Sequence, residues 1–514
     1  MKNRIVLIVI LFTVFCVSGC KKFLDRKPLT ATLDDLHQGG LETQALGLYG
    51  TIRNSSSSPY VGDGFESIPW IGMNGFRSDD QEIVSDPGAA QWHTIYDLFG
   101  GGQYAKDDWA SGVYWDRHYI LIGNCNTALQ IADSLQLTDD ASLTNIGEIK
   151  FFRALSYWDL VRNYGQIPKV DFRIYNPTDA QIPKSPEDTI YALIESDLQF
   201  AADHLPLTWG PQYNGRLTSG AAKTLLAKEQ IWRKQWATAL SLCNDVINSG
   251  VYKLHVPYWD IWKLDQELGE ESIFEVQASE KPGDGGFYWS WFGTTQGVRG
   301  ADADGWNLGW GWNTPTKNLV DAYEPNDPRE GATILFSGHP DSYPGPGNTI
   351  TAANGGYGKD LPPYTNALYW NKKVYVSQAD RDAAGDPNGG AFINHRVLRY
   401  ADVILMAAEC ANETGDGATA AARLEEIRAR ARNGDNTILP YIAFQNQVQM
   451  RAAIKHERRI EFGMEFERFY DLVRWGDATS VLGGLGYQQK NRYFPLPTTA
   501  ISANPKLVQN PDYN

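Results

Sequence analysis

The sequence predicts a mainly α-helical fold, a tetratricopeptide-like scaffold of helix pairs with long loop-rich stretches between them. Three observations predict it: apolar residues at three-to-four spacing, a small-residue pattern that occurs in two distant segments, and Gly-, Pro- and aromatic-rich stretches between the helical blocks. With 514 residues, 42% hydrophobic and 21% charged, the chain has the composition of a globular protein and can bury a large core. At about 150 residues per domain it holds two to four domain-sized units. Its 61 acidic against 46 basic residues, with no clustered Lys/Arg run, exclude a nucleic-acid surface.

The N-terminus carries Lys2 and Arg4, then an apolar run from Ile5 to Val17 broken only by Thr13. A bilayer takes about 20 apolar residues, so the run is too short to span but suits a signal-peptide core. Val17-Ser18-Gly19-Cys20 follows, and two small residues before a cysteine resemble the lipobox of bacterial lipoproteins. The resemblance implies that residues 1–19 are removed and that Cys20 carries acyl chains, which tether an otherwise soluble body to a membrane. Beyond Cys20 only Cys125, Cys243 and Cys410 remain, too few and too scattered for a disulfide framework or a zinc site. They are expected to pack as small apolar residues.

Along the chain, residues 148–164 predict a helix that ends at Gly165, with Phe152, Leu155, Trp158 or Asp159, and Val161 or Arg162 on its apolar face. Ser185-Pro186-Glu187-Asp188 predicts an N-cap with Pro at the first helical position, opening a helix through about Ala202. The repeat follows. Leu226 and Ala227 precede Ala239, Cys243 and Val246 as Ala407 and Ala408 precede Ala420, Leu424 and Ile427. Small residues twelve apart across a turn let two antiparallel helices approach closely. Residues 148–202 and about 445–476 are expected to supply further pairs. Residues 54–113 and 279–392 read as non-helical, and loops that long carry function or small local structure. Ser272 to Val276 predicts a strand.

The search for catalytic chemistry is negative. His456-Glu457-Arg458-Arg459-Ile460 lacks the second histidine of a zinc-protease helix, and no P-loop, nucleophile elbow or dinucleotide fingerprint occurs. Asp302-Ala303-Asp304-Gly305 echoes a calcium loop without its spacing or closing Glu, so no metal and no cofactor is expected.

The positive signal is aromatic. Residues 284–313 hold Phe287, Tyr288, Trp289, Trp291, Phe292, Trp306, Trp310 and Trp312 among eight glycines. In extended backbone Phe287, Trp289 and Trp291 alternate onto one face, and Trp310 pairs with Trp312. Gly-separated indoles serve either as flat platforms or as plugs that fix the loop to the helices. As platforms they suit the C–H face of a pyranose, each stack contributing about 1–2 kcal/mol.

The C-terminal third is specific. LRYADVILMAAECANE (398–413), LEEIRARA (424–431), HERRIEFGMEFERFYDLVRW (456–475) and the closing YFPLPTTAISANPKLVQNPDYN occur in the order of the SusD/RagB family of outer-membrane lipoproteins, which this chain resembles over nearly its whole mature length. CKKFLDRKP after the signal, Trp115 to Asn126, and Asn313-Thr314-Pro315-Thr316 through Asp327-Pro328-Arg329 resemble the family as well; Pro511-Asp512-Tyr513 departs slightly from its P-G-Y ending.

The C-terminal motifs themselves read as structural. Glu457 and Glu461 with Arg458 and Arg459, and Glu467 with Arg468 and Arg474, sit at spacings that favour ion pairs between neighbouring helices. The resemblance implies an N-terminal helical region over 20–270 intertwined with a C-terminal region over 271–514. It also implies a surface lipoprotein, not an enzyme, that presents oligosaccharides to a SusC-like TonB-dependent transporter. By position, it implies a ligand site where Arg77, Asp79 and Trp92 meet Tyr288, Trp289, Trp291, Trp306, Trp310 and Trp312. Peptide capture is the second reading and a lipid-anchored glycoside hydrolase the third; outward-facing rings favour sugar.

Overall fold

The computed structural model describes residues 40–53, 68–83, 99, 104–279, 289–349, 355–365, 367–385 and 389–513. The expected signal peptide 1–19, the lipidation site Cys20, Trp92 and Tyr288 lie outside the described residues. The fold is mainly α. Helices α1 (Leu41–Ile52), α2 (Ile68–Gly75), α3 (Trp109–Ser134), α4 (Asp140–Tyr164), α5 (Glu187–His204), α6 (Ser219–Trp232) and α7 (Trp236–Asn248) form its first part. The short α8 (Trp291–Gln296) and other short helical segments at Lys317–Val320, Pro328–Thr333 and Gln378–Ala384 precede α9 (Tyr400–Glu413), α10 (Gly417–Arg432), α11 (Gln447–Glu461) and α12 (Arg468–Trp475). Among the described residues no helix is long and apolar enough to cross a membrane.

Side-chain caps start several of these helices. Asp108, Asp139, Thr218, Asp416 and Asn446 each accept a backbone N–H from the first turn of α3, α4, α6, α10 and α11. The turn before α5 differs slightly from the sequence reading: Pro186 itself takes the N-cap position, while Ser185 donates its N–H to Ile167. Two stretches read as non-helical contain α2, the start of α3, and α8 with several single turns. Their Gly and Pro content conceals segments too short to show a period.

The helices stack in sequence, α3 on α4, α4 on α5, α5 on α6 and α6 on α7. Helix α7 then packs on α9, and α9 on α10, so the two segments with matching small-residue patterns lie against each other. Ala227, Ala239, Cys243 and Val246 on one side and Ala407, Ala408, Ala420, Leu424 and Ile427 on the other are all buried. Helix α4 is enclosed on several faces by α1, α3 and α5. Both members of each alternative named for it, Trp158 and Asp159, Val161 and Arg162, are therefore inside. Cys125, Cys243 and Cys410 are buried free thiols, as their isolation implied.

Among the described residues three antiparallel strand pairs hold the loop-rich side: β1 (Gln81–Glu82) with β3 (Thr314–Pro315), β2 (Ser272–Val276) with β6 (His395–Arg399), and β4 (Ile334–Phe336) with β5 (Tyr369–Asn371). The strand expected at 272–276 is β2. A second hydrophobic core beneath the loops packs Trp259, Trp306, Trp370, Leu335, Leu361 and Tyr375.

The C-terminal motif residues build an interior of charge. Glu461 on α11 accepts from Arg399 (3.1 Å), Arg329 (3.2 Å) and Arg430. Arg458 bridges Asp402 (2.8 Å) and Asp471 (2.9 Å), and Arg474 holds Glu409 (2.5 and 2.8 Å). Burial alone would raise the Glu461 carboxyl, but Arg430, Arg399 and Arg329 hold it well below the usual carboxylate range. These ion pairs tie α9 to α12 together.

Candidate functional site

The aromatic loop is built on close backbone approaches. Ser290 donates its N–H to Ala391 (2.8 Å), and its hydroxyl caps α8 through Phe292 N (3.1 Å). Phe292 anchors α8 by stacking on His395 at 4.1 Å and 17°. The chain returns past α8 as Trp310 N bonds Thr294 O (2.8 Å) and Trp312 N bonds Thr295 O (2.9 Å). A Cβ on Gly309 would lie 2.4 Å from Thr294 O, and one on Gly293 would lie 2.3 Å from Gly390 O. At these two positions glycine is required by proximity.

This crossing assembles a ladder of indoles. Trp289 meets Trp291 edge to face (6.5 Å, 85°), Trp291 stacks on Trp310 (5.2 Å, 23°), and Trp310 leans on Trp312 (5.1 Å, 44°). Exposure is graded along it. Trp289 is 38% exposed, Trp291 and Trp310 are half-buried, and Trp312 is 6% exposed. The extended alternation expected for residues 287–291 does not hold at Trp291, because α8 begins there. Stacking uses one face each of Trp291 and Trp310, so Trp289 forms the open end.

Trp306 corrects the expectation of a shared outward platform. It is buried, stacked on Tyr375 (5.4 Å, 17°), and donates its Nε1–H to Asp360 O (2.8 Å). Trp312 is likewise a buried base and not a contact surface. The loop thus uses its tryptophans in both ways: Trp306 plugs it to the second core, while Trp289 to Trp310 rise from it.

Strand pairing brings the two expected segments together. Gln81 lies opposite Pro315 and Glu82 opposite Thr314, while Thr316 bonds Asp79 O (2.6 Å) and Asp80 O (3.0 Å). An amide relay continues inward: Gln81 donates to Asn313 Oδ1 (3.1 Å), and both Asn313 (2.6 Å) and Asn371 (2.9 Å) donate to Gln296 Oε1 on α8.

The Arg77 side chain nevertheless points into the core, which corrects its positional assignment, whereas Asp79 stays at the wall of a groove and is held there by ion pairs. Arg77 is fully buried between the rings of Phe469 (3.8 Å) and Phe494 (4.2 Å). Its guanidinium bonds Asn163 Oδ1 (2.6 Å), Arg492 O (2.7 Å) and Asn491 O (2.9 Å). Asp79 pairs with Arg468 (2.9 Å) and Arg459 (3.2 Å), which outweigh its burial and lower its pKa. The segment presents a groove of about 440 Å³ beside β1 and β3, lined by Ser78, Asp79, Glu82, Ile83, Thr316 and Lys317. Sequence reasoning missed Glu82 and Lys317; their only signals were that Glu82 follows Asp79 by three residues and that Lys317 adjoins the quoted Asn313–Thr316 motif.

Two family models match the chain, one described as SusD family over residues 270–491 and one as starch-binding associating with outer membrane over 75–230. The chain belongs to the SusD/RagB family. This SusD/RagB chain is similar to SusD-like protein P2 of Formosa agariphila, at 27% identity over 432 residues covering 79% of this chain and 81% of that one. It is also similar to SusD-like protein P25 of the same organism, at 24% identity covering 98% of both chains. Among solved structures, a laminarin-binding SusD-like protein superposes with a TM-score of 0.73 at 25% identity, covering 92% of this chain and 99% of that one. A SusD superfamily protein from Bacteroides vulgatus has a TM-score of 0.75 at 22% identity, covering 94% of this chain and 100% of that one, a likeness of fold. SusD-like folds are tetratricopeptide-like, which agrees with the helix stacking described above.

Proposed function

We propose that this chain is a surface-exposed, glycan-binding lipoprotein of the outer membrane, anchored through Cys20, that captures oligosaccharides and delivers them to a SusC-like TonB-dependent transporter. The observation that carries the reading is the graded indole ladder. Large rings held open at one end and locked by hydrogen bonds at the other match the flat C–H face of a pyranose. Carbohydrate is also the chemistry in the name of the laminarin-binding relative and in the starch-binding description over 75–230, which likewise names the outer membrane.

Two usable stacks, on Trp289 and Trp291, contribute about 2–4 kcal/mol, near the roughly 4 kcal/mol that corresponds to a millimolar dissociation constant. Polar contacts from the Glu82–Lys317 groove add orientation. Weak, repeated contact suits capture and hand-over, and the side chains here act by holding sugar without breaking bonds.

The test is a binding screen of the mature chain across neutral polysaccharides, laminarin among them. Retention by at least one is expected; a folded chain retained by none, or one releasing new reducing ends, overturns the reading. Separately, Cys20→Ala is expected to abolish palmitate incorporation and to move the chain out of the membrane fraction. Unchanged membrane retention would refute the anchor.

A further inference from the structure

A second aromatic groove lies between the connection from α5 to α6 and the segment leading into β2. Helix-to-helix connections in such scaffolds take about 2–8 residues. Here α5 ends at His204 and α6 begins at Ser219, and the excess length is spent on presenting side chains. The groove measures about 360 Å³. That sits at the low end of the roughly 300–1,000 Å³ of small-molecule sites.

Its main ring is Trp209. The indole N–H donates to Leu217 O (2.8 Å), and the Arg216 guanidinium lies 4.2 Å from the ring. Arg216 is itself held by Glu148 (2.6 and 3.0 Å) and Glu42 (2.6 Å). Trp209 is therefore half-buried and fixed against a neutralised cation. Tyr213 stands beside it at 5.7 Å and 65°, and is 42% exposed. Across the groove, Tyr252 is tucked against Gly220, where a Cβ would lie 2.5 Å from its hydroxyl, and shares a hydrogen bond with Thr218 (2.8 Å).

The polar lining is rich in acceptors. Glu275 is buried; one of its carboxylate oxygens accepts from Asn394 (2.9 Å), while Oε1 accepts no hydrogen bond, with Arg396 at 3.7 Å. Glu270 and Asn214 line the same groove. Arg216 faces Glu148 and Glu42, Arg396 faces Glu275, and the His255 ring meets Glu270, so carboxylates outnumber guanidinium groups around the groove and the site is acidic. It repels sulfated or uronate chains and accepts hydrogen bonds from uncharged hydroxyls.

We infer that this groove is a second glycan contact, taking a neutral hexose unit with its C–H face on Trp209, Tyr213 at its edge and its hydroxyls on Glu270 and Asn214. The inference rests on the reading of the chain as a glycan binder. Two weak contacts on one body would hold a long polymer more tightly than either alone.

The test uses the full mature chain carrying 5-fluorotryptophan, with the Trp209 and Trp289 fluorine resonances assigned by Trp209→Phe and Trp289→Phe. Laminarihexaose, maltohexaose and mannohexaose are titrated to ~10 mM, above the millimolar range expected for one or two stacks. A saturable shift of the Trp209 resonance is expected with at least one hexaose. It should persist in Trp289→Ala/Trp291→Ala and weaken about fivefold in Tyr213→Ala, whose exposed ring leaves folding intact. A Trp289 shift with Trp209 unmoved overturns the second contact and leaves the ladder standing. A Trp209 shift alone supports this groove and removes the ladder. Silence at both resonances with all three hexaoses overturns both assignments, and loss of the Trp209 shift in the ladder variant overturns this one.

Discussion

The α9–α12 interior and the indole ladder invert the usual distribution of polarity. Between residues 399 and 474, charged side chains are buried: Arg399, Arg430 and Arg458 face Glu461, Asp402 and Asp471 with almost no solvent contact. In the loop after β2, by contrast, large apolar rings stand at the surface, from Trp289 inward to Trp310. Buried charge is tolerated only where every partner is in place, so the first region fixes geometry. The exposed ring surface, greatest at Trp289, contributes little to folding and is free to serve a ligand. The motifs that identify the family therefore lie in the region that holds the shape, and the residues proposed to work lie elsewhere.

The comparison breaks most visibly at Glu461. Glu461→Ala leaves Arg399, Arg430 and Arg329 short of a counter-charge and is expected to destabilise the fold by about 3–5 kcal/mol in denaturant unfolding. A loss under 1 kcal/mol (~1 kcal/mol being the scale of an exposed pair) would show that water relieves the cluster. Trp306→Ala tests the dividing line within the loop itself. As a buried ring on Tyr375 it is expected to cost about 3–5 kcal/mol of stability, with glycan affinity of the folded protein unchanged. Trp289→Ala is the mirror case: unfolding free energy within about 0.5 kcal/mol of the parent, and affinity for any retained glycan down roughly tenfold by calorimetry. If Trp306→Ala weakens binding and Trp289→Ala does not, the site has been placed on the wrong half of the loop.

The smallest expected effect is on acid stability. The arginines lower the folded-state pKa of Glu461 below its unfolded value near 4.5. Its contribution is fully present above that value and is lost progressively as pH falls below it towards the folded pKa. The urea midpoint should drop below pH 4.5 more steeply in the parent than in Glu461→Gln; parallel profiles would assign acid sensitivity to other carboxylates.

The helix pairs were legible because their signal is local. Ala227 with Ala239 and Ala408 with Ala420 bracket one turn each, and small residues at that interval have few other uses. The direct packing of α7 on α9 was not legible, since nothing in either segment names its partner. The ladder was half legible. The density of Trp and Gly marked the loop, but which ring is inside depends on distant residues: Tyr375 and Asp360 bury Trp306. Arg77 fails for the same reason. Its carbonyl partner on Asn491 lies 414 positions along the chain, and the rings that enclose it belong to Phe469 and Phe494. A charged residue beside an acidic pair reads as a surface contact until those rings are in place.

The amide relay through Gln296 has a thermodynamic consequence. Asn313 and Asn371 both donate to one carbonyl oxygen, so the backbone beneath the rings is tied to α8 by the protein's own hydrogen bonds. On the proposed reading, a carbohydrate docking there would have little chain motion left to quench. Its affinity should owe little to organising the receptor, so that successive sugar units can slide across the rings without the loop having to remake itself at each step.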